Sequence, residues 1–302
     1  MAPHAEDGYS GQNADGPSTT APLEPGISES AAKAEMPKYP SAPTFDDPYK
    51  ERAYGKGRLA AGFRIFAKYG YDEGVAGGFL TYLGSHITYR DPVEPDTFWV
   101  NPFGTAFGLM KASDLIRVNE EGKVLEGGEN RLLNTAAFAI HSAIHQARPD
   151  VNAACHSHSI YGRSFCSLGR KLDIITQDAC AFHNDHAVYE SFNGIVLATE
   201  EGRNIARCIG NKKAALLQNH GPLTVGRTIE EAVFWFVSMD KCCQAQLLAE
   251  AAAGPRGEKP IVISDEDAVF TYKTIGTPYA GHFSAKPMFD VIHKETGGEY
   301  LE

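Results

Sequence analysis

The sequence predicts an α/β protein built in layers, and three observations carry that prediction. Long segments with apolar residues at helical spacing, opened and closed by capping residues, recur along the chain. Between them lie short apolar runs broken by turn residues, the pattern of β-strands. The 302 residues, 43% hydrophobic and 22% charged, supply a sizeable core for one large domain or two small ones. Helices alternating with a mostly β middle bury their apolar faces by stacking on a sheet.

Residues 1 to about 45 are rich in Ala, Pro, Ser, Gly and acidic residues, with almost no aliphatic periodicity. Such a segment cannot bury enough surface to offset its ordering entropy, so it reads as a disordered tail, with docking or regulation as the functional alternative. From Pro48, YKERAYGKGRLAAGFRIFAKYGYDEG has helical spacing and meets Gly70 at its end. A β-rich portion follows in HITYRDP, TFWVNPFG and DLIRVNEEGKVLEGG. NTAAFAIHSAIHQARPD is a helix with Asn134 as N-cap and Pro149 closing it. Then come a strand (NAACHSHS), a polar loop with SLGRKLD, a candidate strand at IVLA and a helix, EEGRNIARCIG. KAALLQNHGPLTVG is two strands around the turn NHGP. TIEEAVFWFVSMDKCCQAQLLAEAAAG is a long helix packed on both sides, with Thr228 and Glu231 forming a capping box. Beyond Gly254 the pattern is less regular, but Phe283, Phe289, Val291 and Ile292 mark an arm that docks. It covers its own domain, a neighbouring subunit or a site entrance, and the sequence leaves these open. The expected division is a tail at 1–45, a domain at 46–252 and an arm at 253–302.

A net charge of −10 argues against nucleic acid or an anionic membrane as the main partner. No apolar run approaches the roughly 20 residues that span a bilayer, and MAPHAEDGYSGQ lacks the basic start and apolar core of a secretory signal. The six cysteines include no CxxC pair and several sit in apolar segments, which reads as reduced thiols in a cytoplasmic protein.

The stretch NAACHSHSIYG places two imidazoles two residues apart at the end of an apolar run. On a strand, positions i and i+2 share one face, so His156 and His158 project together, as two ligands to one metal ion would. The plain alternative is two polar residues at a strand end. A third histidine, His220, follows an apolar run in ALLQNHGPL and precedes a Gly-Pro turn. Three imidazoles gathered there make a facial site with open positions for substrate or water.

RPDVNAACHSHS and ALLQNHGPLTVGRTIEEA, in this order and spacing, resemble the class II aldolase/adducin head family over about residues 50 to 252. The departures described below place the chain with a fungal-type, non-sugar-phosphate branch. The resemblance implies a three-layer α/β/α fold around a mostly antiparallel sheet, and a homotetramer with sites at subunit boundaries. It also implies a divalent metal, zinc first and Fe(II) as the alternative, held by His156, His158 and His220. Such a metal polarises a carbonyl and stabilises an enolate while a C–C bond breaks or forms.

The departures bear on the reaction. Sugar-phosphate aldolases of the family carry an acid/base glutamate eleven residues before the Arg of RPD; here that position is Ala137, and a methyl group moves no proton. The hydroxyl-rich phosphate loop corresponds to WVNPFGTAFG, where Asn101 and Phe103 replace threonines, so a phosphorylated sugar is disfavoured. Phe103, Phe107 and the Gln177–Asp178 pair suggest a less charged, aromatic or polyketide-like substrate. Gln177 stands where the aldolases have a tyrosine proton donor, and an amide is no general acid. Asp178, His183 and His186 are the candidate replacements for the missing acid/base, with a polar surface loop as the other reading of the histidines. GFLTYLG looks like an insertion after a glycine turn; under that alignment Ser85 and His86 face substrate, and without it Gly77 and Gly78 do. Positive φ in a tight turn accounts for Gly74 and Gly77. His141 and His145, one turn apart on the preceding helix, read as packing or interface residues.

The leading functional expectation is a metal-dependent carbon–carbon lyase of decarboxylase or aldolase type acting on a non-phosphorylated small molecule. Decarboxylation suffers less from the loss at Ala137, because departure of CO2 needs no prior removal of a hydroxyl proton. Two alternatives remain: a non-heme Fe(II) oxygenase on the same scaffold, and a non-catalytic, adducin-like cytoskeletal interaction domain. Retention of three histidines, and the lack of a Lys-rich C-terminal tail, argue against the last.

Overall fold

The computed structural model describes residues 39–72, 85–192 and 199–302. The glycine turn with GFLTYLG, the IVLA segment and all of the expected tail up to Lys38 lie outside the described residues. The helices begin where their caps predict. Helix α1 (Pro48–Lys68) opens on Asp47, whose side chain accepts from the Tyr49 N–H, with Pro48 preset for the first turn. Asn134 accepts from the Ala137 N–H to start α2 (Thr135–Ala147). Thr228 does the same for Glu231 at the head of α5 (Ile229–Ala253), while the Glu231 carboxylate reaches back to the Arg227 N–H, one residue before the cap. Helices α3 (Ile160–Cys166) and α4 (Thr199–Ile209) lie between, and α6 (Asp265–Ile275) and α7 (Pro278–Thr296) follow.

Eight strands among the described residues form one sheet in the order β4-β3-β2-β1-β5-β8-β7-β6. They are β1 (His86–Arg90), β2 (Thr97–Val100), β3 (Ile116–Asn119), β4 (Val124–Glu126), β5 (Ala153–His156), β6 (His186–Tyr189), β7 (Ala214–Leu217) and β8 (Gly221–Gly226). Every pairing is antiparallel except β6 with β7. Strand β6 was not foreseen; HNDHAVY reads as a polar loop because its histidines mask a strand of only four residues. Helix α4 connects β6 to its parallel neighbour, as a parallel pair requires.

Alternation along the strands sorts the sheet into two buried faces. Ile87, Tyr89, Trp99, Ala153 and Cys155 join the core made with α1, α5 and α7. Ala154, Leu223 and Val225 pack with α2 and α4, and Phe98 and Val100 with Phe138 of α2. Helices thus cover both sides, giving the expected three-layer α/β/α architecture. The C-terminal arm settles on its own chain: Ala285, Phe289, Ile292 and Tyr300 are buried in the α1–α5 core, and Lys213 Nζ donates to the Gly276 carbonyl (2.6 Å) between α6 and α7. At the other terminus packing begins before residue 46, since the Tyr39 ring rests on Phe283 at 5.4 Å. Among the described residues no helix is long and apolar enough to cross a membrane.

Candidate metal centre

Strand β5 is buried throughout and ends at His156. The chain then leaves the sheet through Ser157, His158 and Ser159 into α3. Strand alternation therefore does not place His158, contrary to the sequence expectation. An anchored loop does so instead. Ser157 Oγ donates to the Tyr71 carbonyl (2.9 Å), and Ser85 Oγ, with one proton to give, lies within reach of both Ser157 Oγ (2.8 Å) and that carbonyl. His220 closes the turn between β7 and β8, after Asn219 at φ 55°, a left-handed conformation that asparagine tolerates. Gly221 lets this turn approach: a Cβ there would lie 2.6 Å from the Ser157 carbonyl oxygen and against the rings of His156 and His158.

The three rings meet, with centroids 5.1 Å apart for His156–His158, 4.7 Å for His156–His220 and 4.8 Å for His158–His220. One ligand nitrogen from each lies within 4.8 Å of the others. His156 Nδ1 donates to the Pro222 carbonyl (2.8 Å), which leaves Nε2 as a lone pair. That Nε2 is buried and has no hydrogen-bond partner. Burial, and then the neighbouring imidazoles, hold His156 far below the ordinary histidine value, and His220 is lowered to about 4 for the same reasons. Neutral imidazoles, one of them oriented by a carbonyl and aimed at the cluster centre, fit the donor set of a divalent metal.

Other expected site residues divide into those near the cluster and those away from it. His86 stands opposite His156 in the β1–β5 register and is fully buried. Asn101, at the exit of β2, is buried beside it and favours its charged form. Neither His86 nitrogen, nor Asn101 Oδ1, has a hydrogen bond of normal geometry. Ser85 acts on the cluster through Ser157. Phe103 is half-buried in the following loop, its N–H donating to the Leu132 carbonyl. Phe107 lies in the core against Phe63, 4.6 Å between centroids, and does not face a site.

Gln177 and Asp178 are exposed at the start of a short 3-10 turn, so the expected buried carboxylate near the metal is not found. His183 and His186 sit at the opposite end of the sheet from the triad, since His186 opens β6 beside Ala214 at the start of β7. His186 has both nitrogens committed, Nδ1 to the Phe182 carbonyl (2.8 Å) and Nε2 to the Leu172 N–H (3.1 Å). His183 bonds Asn184 and pairs with Asp265 (3.1 Å) on the wall of a cavity of about 570 Å³ shared with Arg148, Asp150, Lys213 and Tyr272. Sequence reasoning undervalued Thr88, His141 and His145. Alternation in HITYR puts Thr88 on the face of His86, and spacing on α2 puts the two histidines over it; the signal was present in both periodicities.

Residues 57–247 match the model of the family described as Class II Aldolase and Adducin N-terminal domain. The chain is 42% identical over 264 residues to decarboxylase NovR of Streptomyces niveus, covering 86% of this chain and 93% of that protein. It is 41% identical over 264 residues to the 4-hydroxy-3-prenylphenylpyruvate oxygenase/4-hydroxy-3-prenylbenzoate synthase of Streptomyces roseochromogenus subsp. oscitans, covering 86% and 91%. Among solved structures, the L-fuculose 1-phosphate aldolase from Glaciozyma antarctica PI12 superposes with a TM-score of 0.77 at 48% identity, over 87% of this chain and 97% of that one. With the family model matched over residues 57–247 and these relatives covering most of its length, the chain belongs to the class II aldolase and adducin N-terminal domain family.

Proposed function

We propose that the protein is a metal-dependent carbon–carbon lyase of decarboxylase type, acting on a non-phosphorylated small molecule of the aromatic 3-oxo acid class. The observation that carries this reading is the convergence of His156, His158 and His220, with His156 Nε2 buried and unpartnered. A divalent metal bound there, zinc or Fe(II), supplies Lewis-acid polarisation of a substrate carbonyl. The chain orients the three imidazoles through Pro222, Ser157 and the close approach at Gly221. Ala137 is buried at the start of α2 and offers no proton carrier. Loss of CO2 suits that site: with the carboxyl group one carbon removed from the carbonyl, the electron pair of the broken bond passes into the carbonyl as an enolate, and a proton from solvent then takes the place of the carboxyl group on carbon. The similarity to a protein named as a decarboxylase supports the same choice.

A second reading is favoured by one relative being named an oxygenase: the same three imidazoles hold Fe(II) and the chain consumes O2. An adducin-like, non-catalytic role is disfavoured by the assembled triad. A homotetramer in the cytoplasm completes the proposal.

The test is metal content after purification without chelator, followed by CO2 release from 4-hydroxybenzoylacetate and O2 uptake with 4-hydroxyphenylpyruvate on zinc- and iron-loaded protein. About one equivalent of metal per chain and CO2 release without O2 uptake are expected; O2 uptake with iron selects the oxygenase. Less than about half an equivalent, unchanged by added zinc or iron, defeats both.

A further inference from the structure

Behind His156 lies a second group of polar side chains that the triad does not use. Thr88 Oγ1 sits 2.8 Å from His141 Nδ1 and 2.8 Å from His145 Nε2. His145 Nδ1 is 3.3 Å from the Val151 carbonyl, an acceptor, so Nδ1 carries the proton. Arg90 Nη2 also approaches this nitrogen, at 3.5 Å, but its protons go to closer carbonyls of His145 (2.7 Å), Arg148 and Val151 (both 3.2 Å). Burial lowers His145 to about 3, so its Nε2 is bare and accepts from the Thr88 hydroxyl. Thr88 has one proton to give and has given it, so it accepts from His141, whose proton must then be on Nδ1. With its one proton on Nδ1, the fully buried His141 ring presents Nε2 as a bare lone pair.

That lone pair has no partner. The His86 ring stands edge-on to His141 at 4.9 Å between centroids. His86 and Asn101 Oδ1 beside it are also buried, interacting with each other but without a hydrogen bond of normal geometry. Four polar atoms on three side chains are therefore poorly satisfied next to a proposed metal ligand, where an unmet group costs about 1–3 kcal/mol. Two of them, His141 Nε2 and Asn101 Oδ1, are acceptors. A neutral imidazole at His86 adds one donor and one acceptor.

We propose that His86, Asn101 and His141 form a subsite for a neutral hydroxyl group, with Val151, His145 and Thr88 fixing His141 Nε2 as its acceptor. A substrate hydroxyl donates its one proton to His141 Nε2 and accepts from His86, while a water also has a second proton for Asn101 Oδ1. A carboxylate or phosphate oxygen would set lone pair against lone pair, so the subsite rejects anions. The hydroxyl comes from a bound water or from a substrate enol or alcohol. Thr88 and His145 are positioning residues. The subsite's catalytic relevance rests on the metal reading of His156, but its proton arrangement does not.

A neutron structure of the zinc-loaded full-length chain in D2O tests the arrangement directly. It should show deuterium on His141 Nδ1 and none on Nε2, with D2O donating to Nε2 if water is the occupant. Deuterium on His141 Nε2 overturns the proposal. Soaking with 4-hydroxybenzoylacetate separates the sources: replacement of that D2O by the enol hydroxyl assigns the subsite to substrate, persistence assigns it to water, and the substrate carboxylate bound there overturns the proposal. With the same compound as kinetic probe, Thr88→Val should lower kcat/KM about tenfold at unchanged zinc content, and Thr88→Ser should restore it. Equal losses in both variants overturn the positioning role. If wild-type protein does not turn the probe over, the proposed function fails while the neutron density still decides the subsite.

Discussion

The two ends of the sheet each gather histidines close in sequence, and they treat them in opposite ways. Where β5 and β7 finish, His156, His158 and His220 converge, and the one nitrogen of His156 not tied to Pro222 stays without a partner. Where β6 begins, His186 has both nitrogens bonded to backbone groups, and His183 Nε2 lies between Asn184 and Asp265 at the surface. In sequence the pairs HSH and HNDH look alike. They differ in hydrogen-bond accounting, because a buried imidazole with a nitrogen to spare can bind something and one with none to spare holds the fold together.

The largest effect that sharpens this contrast comes from the triad. His220→Ala removes one of three ligands and should reduce metal from about one equivalent per chain to less than half, with loss of turnover, while the fold persists. Metal analysis and circular dichroism of the purified variant check it. Full metal retention would remove His220 from the site.

How much of this was legible in the sequence follows from the same contrast. Helices α1, α2 and α5 were readable because their caps are local: Asp47, Asn134 and Thr228 each bond an N–H two or three residues on. The triad was readable because each histidine sits beside a marked turn. Strand β6 was not, since four residues with a histidine at their head show no alternation to detect. The place of Asp178 and His183 was equally hidden, because exposure and the choice of sheet end depend on how β6 and β7 pair. The periodicities of HITYR and of α2 carry the faces of Thr88, His141 and His145, but their meeting depends on how the helix docks on the sheet.

Acid should destabilise the metal-free protein by the next largest amount. Burial lowers His86 and His145 to about 3 in the fold, against an ordinary value of 6.5. Between those values the unfolded chain binds protons that the folded chain refuses, so stability present above 6.5 is lost as the pH falls toward 3. From pH 7 to pH 5 the loss should be of the order of a few kcal/mol for the two together. Urea midpoints for the zinc-free protein at the two pH values measure it, and His145→Gln should shrink the difference. Equal midpoints would show that these histidines reach water.

Gly221→Ala probes the triad without touching a ligand. The added methyl would lie 2.6 Å from the Ser157 carbonyl oxygen, so the loop carrying His158 or the turn carrying His220 must move. Overpacking of this kind costs about 1–3 kcal/mol, and zinc affinity should fall about tenfold as the rings separate. Calorimetric titration and the thermal midpoint of the zinc-free form report the two effects. Unchanged affinity would mean that the rings keep their places despite the methyl.

The smallest effect is expected at the other end. The Asp265 partner of His183 is 84% exposed, so the pair is screened by water and salt. His183→Ala should cost no more than about 1 kcal/mol and leave metal content and turnover as in the wild type. Two arrangements of the molecule compete here. If His183 serves the reaction in a neighbouring subunit of an oligomer, turnover falls at unchanged stability and the two ends of the sheet are not independent. If it only closes the charged cavity beside α6, stability moves slightly and turnover does not. Kinetics and urea unfolding of the one variant separate these cases, and the contrast between the two ends predicts the second.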